Sequence, residues 1–316
     1  MVTLERRNRK GPVLTPSSIP CLRGIPSINI TEGCAHECAY CYTQGYSNYP
    51  GGDRVVLLEN TAELVADELR RKRRLPKRVY FSPSSDAFQP LPEVQDVTFR
   101  TMSVLLEAGV EVAFLTKGVV GERFLGLFAS ATNPSLVFAQ IGITTQDEGL
   151  WRALEPGAAS PSRRLENIAA LARIGVATEA RLDPLIPDLT DTDASLDSLL
   201  AELKGRGIRA VAASFLFLRP AFAQRLAERL RSVHGPSISV GEWGWQALAD
   251  GVGGGRMIGP EDRRRRFSRL RALAARHGIE VHVCTCKNPG LGESSGCRIA
   301  GPPAKASQCR VPPLFG

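Results

Sequence analysis

The sequence predicts an α/β protein: a partial (β/α)6 barrel of the TIM type with a cysteine-containing C-terminal extension. Three observations predict it. Apolar runs of strand length alternate with helical stretches from residue 60 onward, the pattern of a parallel sheet wrapped by helices. Six such units follow one cysteine-rich loop. At 316 residues the chain has room for such a barrel and a smaller addition. The expected order is an N-terminal arm (1–26), the barrel (27–234) and the extension (235–316).

The arm carries Arg6, Arg7, Arg9 and Lys10, then Pro12, Pro16 and Pro20. It is expected either to lack structure or to wrap the barrel. Cys21 reads as a buried thiol, since a free cysteine behaves as a small hydrophobe. Ile28-Asn29-Ile30 is a short apolar run leading into a loop, Gly33 to Tyr42. Tyr46, Tyr49, Pro50, Gly51 and Gly52 make a turn-rich stretch. A helix is predicted from Asn60, with Asn60 and Glu63 as a variant capping box. Leu64, Val65 and Leu69 form its apolar stripe. Its end, Arg70 to Arg74, suits the negative end of a helix dipole.

Strands are predicted at 79–81, 110–115, 136–143, 176–182 and 208–218. Helices are predicted at 94–108, 122–130, 163–173, 193–204 and 220–233. Gly175, Gly205 and Gly207 supply helix stops. In the extension, 241–245 and 251–255 read as loops. A helix is opened by Arg263 to Arg266 and runs to His277. Ile279, Val281 and Val283 alternate as an edge strand.

The chemistry concentrates in Cys34, Cys38 and Cys41, spaced C-x3-C-x2-C. That spacing lets three thiolates converge on one small inorganic object, as iron–sulfur clusters require. A four-iron cluster has four corners, so three ligands leave one iron open, and open metal positions are where chemistry occurs. Zinc is the competing reading, with His36 as a fourth ligand. Eight cysteines without a secretion-type leader point to metal or catalysis and to a reducing cytoplasm. A net charge of +8 favours a polyanionic partner such as nucleic acid. No apolar run reaches the length of a membrane-spanning helix.

The loop matches the signature of radical S-adenosylmethionine (radical SAM) enzymes, including the aromatic Tyr40 before the last cysteine. From Ser27 to about Asp191 the chain resembles the spore photoproduct lyase family of that superfamily. The resemblance rests on Cys34 to Tyr42, Ser84-Ser85-Asp86-Ala87-Phe88-Gln89-Pro90, Leu115-Thr116-Lys117, Ile143-Thr144-Thr145, Leu154-Glu155-Pro156 and Asp183-Pro184-Leu185-Ile186-Pro187. It implies a [4Fe-4S] cluster on Cys34, Cys38 and Cys41. The open iron would chelate the amino and carboxylate groups of S-adenosylmethionine. Ser85, Asp86, Lys117, Thr144 and Arg181 would line the cofactor site, with the Tyr40 backbone beside the adenine. Tyr40 and Tyr42 match the tyrosines of the lyases' radical relay. A low-potential electron donor of the flavodoxin or ferredoxin type would serve as partner. One departure stands out: the lyases' hydrogen-donor cysteine, two residues before the matching serine, is here Pro83.

Cys284, Cys286, Cys297 and Cys309 crowd the last part of the chain. They fit a second iron–sulfur cluster or a zinc ion, a thiol set for a soft atom with Cys286 as a reacting thiol, or inert thiols. His282 reads as a rim histidine or a further ligand. Trp243 and Trp245 could stack on a base or form a lid, and the Arg263 to Arg266 run could grip phosphate or be a solvated helix start. The expected function is reductive cleavage of S-adenosylmethionine to a carbon radical acting on a small-molecule substrate. This includes aminocarboxypropyl transfer to a soft nucleophile such as arsenite or a thiol. The alternative is radical chemistry on nucleic acid.

Overall fold

The computed structural model describes residues 2–130, 133–235, 245–247 and 255–283, with Asn288 and Leu291. The elements begin with β1 (Thr3–Arg7), β2 (Ser27–Ile28), β3 (Thr31–Glu32), β4 (Arg54–Leu58), α1 (Thr61–Arg71), β5 (Arg78–Phe81) and α2 (Pro92–Glu107). There follow β6 (Glu111–Thr116), α3 (Glu122–Ala129), β7 (Val137–Gly142), α4 (Glu148–Leu154), α5 (Pro161–Arg173), β8 (Ala177–Leu185) and α6 (Asp193–Gly205). The chain continues with β9 (Ala210–Phe215), α7 (Pro220–His234), β10 (Trp245–Ala247), β11 (Arg256–Ile258), α8 (Pro260–Arg276) and β12 (Glu280–Val283).

Seven strands form one sheet in the order β2-β5-β6-β7-β8-β9-β12, every neighbouring pair parallel. This is a partial barrel as predicted, and β12 is the predicted edge strand; but β12, expected in the extension, pairs with β9, so the barrel sheet does not end at residue 234. Strand periodicity sorts its residues. Val112, Phe114, Ala139, Ile141, Ala180, Leu182, Val211, Ala213, Val281 and Val283 join the main core under the helices. Between them, Tyr80, Ala113 and Phe138 face inward and pack on Leu22. Helices α4, α5 and α6 have capped starts: the Asp147, Ser160 and Thr192 side chains accept from Leu150, Arg163 and Ser195 N–H groups.

The arm wraps the barrel. β1 pairs parallel with β4, and β3 pairs antiparallel with the other edge of β4. Asn60 is not the cap the sequence predicts, for its side chain makes no cap bond to α1. Its Oδ1 instead accepts from the Arg9 N–H at 2.7 Å, and its Nδ2 donates to the Arg9 carbonyl at 3.2 Å. The long-range clamp displaces the local cap because the arm's backbone also needs partners. Cys21 is not a lone buried thiol but is disulfide-bonded. The turn that carries it seals Leu22 against the barrel interior and leaves Cys21 only half-buried.

The arginine run of α8 lies inside the helix, not at its start. Pro260 opens α8, and the acidic Glu261 and Asp262 occupy its first turn, where negative charge suits the dipole. Arg263 is buried and donates to the Ile258 carbonyl and Asn288 Oδ1, each at 3.0 Å. Arg266 reaches Asp262, Asp188 and Asp191 at 2.8–3.0 Å. Two of the four arginines are therefore held by the fold. No helix among the described residues is long and apolar enough to cross a membrane.

Candidate active site

The cysteine loop leaves β3 through Gly33, whose φ is +80°. A Cβ there would lie 2.6 Å from the Arg54 carbonyl oxygen and 2.8 Å from Pro50 Cγ, so only glycine fits. Cys34, Cys38 and Cys41 follow, all free thiols and all partly buried. Tight turns join them: Glu37 N–H donates to the Cys34 carbonyl and Cys41 N–H to the Cys38 carbonyl.

The motifs that stand apart in sequence meet on this loop. Gln89 Oε1 accepts from Ala35 N–H at 2.7 Å. The Leu154 carbonyl accepts from Ala39 N–H at 2.7 Å, and Gly157 N–H donates to the His36 carbonyl at 3.1 Å. Tyr40 OH donates to the Glu155 carboxylate, whose other oxygen pairs with Arg164. The Arg164 guanidinium also donates to the carbonyls of Ala159 (2.8 Å) and Gly142 (3.0 Å). Glu155 and Arg164 are both buried. Burial opposes ionisation of the carboxyl, but Arg164, Lys117 and the Tyr40 hydroxyl outweigh it and hold Glu155 below its ordinary range. Burial and the adjacent carboxylate push the Tyr40 phenol up.

Asp86 is a second hub. Its Oδ1 accepts from Phe88 N–H and Thr116 Oγ1, each at 2.8 Å, and its Oδ2 accepts from Lys117 N–H at 2.8 Å. His36 Nδ1 lies 3.4 Å from the same Oδ2. Burial, which the Asp86 charge only partly offsets, lowers the His36 pKa. The carboxylate is thus occupied within the protein, and Asp86 sits where it fixes the start of the Lys117 segment. The sequence motifs include Gln89 and Glu155 without assigning them a role, and they leave out Gly157. Each acts by gripping loop backbone or a loop side chain, which no local pattern reports.

Lys117 reaches from the end of β6 over Gly142, where a Cβ would come within 3.0 Å of its Cγ. Its ammonium donates to the Asp183 carbonyl at 3.4 Å and lies 5.5 Å from the Tyr40 ring centroid. Thr144, just past β7, is buried. Ser85, in the loop after β5, has a buried hydroxyl with no hydrogen-bond partner. Arg181 on β8 holds Asp183 Oδ2 with Nε (3.2 Å) and Nη2 (2.9 Å). Tyr42, partly exposed, donates its hydroxyl to the Pro83 carbonyl, and its own carbonyl accepts from Arg219 at 3.1 Å. Cys284, Cys286, Cys297, Cys309 and Trp243 lie outside the described residues.

Three free thiols on one loop suit an iron–sulfur cluster. His36 is turned to Asp86. A tetrahedral zinc needs its sulfurs on bonds of about 2.3 Å, whereas a cubic cluster spreads three thiolates over three corners. Burial raises the Cys34 and Cys38 thiols, the neighbouring Asp86 and Glu155 adding to it respectively. Such thiols ionise when a metal supplies the compensating charge. The orphaned Ser85 hydroxyl and the loosely held Lys117 ammonium fit a polar cofactor with a carboxylate.

Comparison with known proteins agrees with this geometry. The chain is 29% identical over 213 residues to Rv2578c, an uncharacterized protein of Mycobacterium tuberculosis, covering 64% of this chain and 63% of that protein. It is 28% identical over 204 residues to a radical SAM Nalpha-GlyT isomerase of Pseudomonas phage M6, covering 64% and 42% respectively. The match thus spans less than two thirds of these relatives. Spore photoproduct lyase with bound AdoMet and dinucleoside spore photoproduct shares the fold, with TM-score 0.68, 14% identity and coverage of 88% and 81%. SuiB of Streptococcus suis bound to S-adenosylmethionine does so with TM-score 0.56, 10% identity and coverage of 85% and 53%. The family description "Radical SAM superfamily" matches residues 28–212, more than half of the chain, and the protein belongs to that superfamily.

Proposed function

We propose that this protein is an iron–sulfur enzyme that cleaves S-adenosylmethionine reductively and delivers the resulting carbon radical to a small-molecule substrate. One observation carries the reading. Three free cysteines share a loop pinned at Ala35, His36, Ala39 and Tyr40, beside an orphaned Ser85 hydroxyl and the Lys117 ammonium. Cys34, Cys38 and Cys41 would hold a [4Fe-4S] cluster. When bound, that cluster would supply the one-electron reduction that breaks a carbon–sulfur bond of S-adenosylmethionine and leaves a carbon radical.

The chain's own residues bind and orient. Lys117 suits the cofactor carboxylate, and Ser85 and Thr144 suit carboxylate or ribose oxygens. Asp86 positions Lys117 through its backbone. Tyr40 fixes the loop through Glu155. Tyr42 ties to Pro83, the place where the lyases resembled here carry a thiol. Without that thiol, the product radical needs a different hydrogen source, which favours a substrate other than the photoproduct. A low-potential flavodoxin or ferredoxin type donor would reduce the cluster. Those of the cysteines at 284, 286, 297 and 309 that are not bonded to Cys21 would hold a second cluster, a zinc ion or a soft substrate atom.

The net charge of +8, with a fold shared with a lyase bound to a dinucleoside photoproduct, supports the second reading, radical chemistry on nucleic acid. The experiment is anaerobic reconstitution with iron and sulfide counted, followed by reduction with S-adenosylmethionine present. Wild type should yield a cleavage product that Cys34→Ala loses together with its iron. Intact S-adenosylmethionine in the loaded wild type defeats the proposal. The product, 5'-deoxyadenosine or 5'-methylthioadenosine, reports which bond breaks. DNA binding that weakens steeply with salt would support the second reading, and its absence would remove it.

A further inference from the structure

Cys41, the last of the three loop thiols, runs straight into an exposed turn, Tyr42–Gly45. Residues 42–52 carry no charged side chain. Among the described residues four large apolar side chains are exposed, and two of them are Tyr42 and Tyr46. Their ring centroids lie 5.8 Å apart, edge to face. Exposed aromatics in contact with each other mark an interaction surface, whereas single ones do not.

Helix α7 borders this turn. At Gly45 a Cβ would lie 3.4 Å from both Ala221 Cβ and Arg219 Cζ, so the missing side chain lets turn and helix meet. Arg219 stands over the Tyr46 ring, its Cζ 5.8 Å from the centroid. Arg225, one helical turn beyond Ala221, reaches Glu37 at 3.5 Å and bonds the Tyr49 hydroxyl. Arg229 follows one turn later on the same flank, and it makes no ion pair among the described residues. From Arg219 to His234 the segment holds four arginines and one carboxylate, Glu228. Even with Glu37 added, the face is positive.

We propose that this outer face of the cysteine loop, Tyr42 and Tyr46 with Arg219, Arg225 and Arg229, docks an acidic one-electron carrier protein. The proposal rests on the radical-enzyme reading and deepens it by giving the reductant a place. The inner side of the loop belongs to the cofactor groups Ser85 and Lys117, so an electron donor has to approach from the outer side, where Cys41 meets Tyr42. The step is a bare electron transfer. The carrier is oxidised by one electron, the cluster is reduced by one, and no bond forms or breaks. Tyrosine and arginine are the residues that carry most energy at protein interfaces. Electron-transfer encounters bury less than about 1,200 Å², so one turn and one helix flank suffice, and opposite charge steers the approach. A nucleic-acid strand fits the face less well. One side of the Tyr46 ring already carries Arg219 and its neighbour is Tyr42, which leaves edges for contact rather than an open platform for a base.

The test titrates oxidised flavodoxin, an acidic carrier, and separately an acidic ferredoxin into the cluster-loaded full chain by calorimetry at low salt. At least one should bind, and more weakly as salt rises. Arg229→Glu should weaken that binding about tenfold through charge reversal, and Tyr46→Ala about fivefold or more. Arg71→Glu is the control: its arginine is 82% exposed at the end of α1, within the other arginine run. It should leave binding within about twofold. No binding of either carrier, equal binding by wild type, Arg229→Glu and Tyr46→Ala, or an equal loss in Arg71→Glu overturns the proposal. Should Tyr46→Ala not fold, Arg229→Glu and its control decide alone. Variants that keep the carrier but lose an oligothymidylate assign the face to nucleic acid and overturn it too. In the same samples, S-adenosylmethionine cleavage is driven once by the reduced carrier and once by dithionite. Arg229→Glu should raise the KM for the carrier and leave the dithionite rate unchanged. Dithionite-driven cleavage without carrier binding defeats this inference alone. Carrier binding lost in the two variants, with no cleavage under either reductant, defeats the enzyme reading alone.

Discussion

Glu155 and Arg164 form an ion pair sealed from solvent, their side chains 3% and 1% exposed, with the Tyr40 hydroxyl on the second carboxylate oxygen. The pair links the segment after α4 to the cysteine loop. Breaking a buried pair by removing one charge leaves the other uncompensated, at a cost of about 3–5 kcal/mol. Glu155→Gln should destabilise the protein by roughly that amount, measured by chemical denaturation at neutral pH. The folded carboxyl lies below its ordinary range, so its contribution is complete above about pH 4.3. It is lost as pH falls through the folded value. The gap between wild type and Glu155→Gln should therefore narrow only at more acid pH. A gap that narrows as pH rises from 5 to 8 would contradict the assignment.

Gly157 is the contact at which the same segment touches the loop backbone. A Cβ there would lie 2.0 Å from the Ala35 carbonyl oxygen and 3.0 Å from His36 Cα. Neither backbone atom can yield without moving the loop. Gly157→Ala should cost about 1–3 kcal/mol as overpacking and should lower iron retained per chain after reconstitution. Iron content equal to wild type would show that the loop tolerates the shift.

Gly142 gives Lys117 its path toward Asp183. Gly142→Ala should push the lysine stem aside while the sheet survives. Equilibrium binding of S-adenosylmethionine should weaken about tenfold, as the loss of one charge-assisted contact implies. Lys117→Met should weaken it at least as much. Unchanged affinity in both variants would remove Lys117 from the cofactor site.

Arg266 joins α8 to the turn after β8, where Asp188 has a φ of +61° and Asp191 is buried. Desolvation opposes its charge, yet Asp188, Asp191 and Asp262 raise its pKa well above the ordinary value. Arg266→Ala leaves the Asp191 carboxylate with the Asp188 N–H at 2.6 Å and, among the described cations, the 3.3 Å contact of Arg269. The variant should lose about 1–3 kcal/mol. Amide exchange should speed up in residues 186–191 before it does in β6 or β7. Uniform exchange across the sheet would instead indicate a global effect.

The chain order alone determined the barrel. Alternation of apolar strands with capped helices has few other packings, and the cysteine spacing marks the loop that precedes them. It also marked β12 through the period-2 pattern of Ile279, Val281 and Val283. Tertiary structure decided the partners. Asn60 looked like a cap because its neighbours in sequence are helical, but the backbone of Arg9 reaches it first. Asp86 looked like a cofactor contact, yet Phe88, Thr116 and Lys117 fill its oxygens. The arginines of α8 looked free for phosphate until Asp188 and Asp191, about 75 residues earlier, met Arg266. Periodicity reports which face a residue occupies, because burial follows from local geometry. Which polar group answers a buried charge depends on elements distant in sequence, and only their packing brings the two within hydrogen-bond distance.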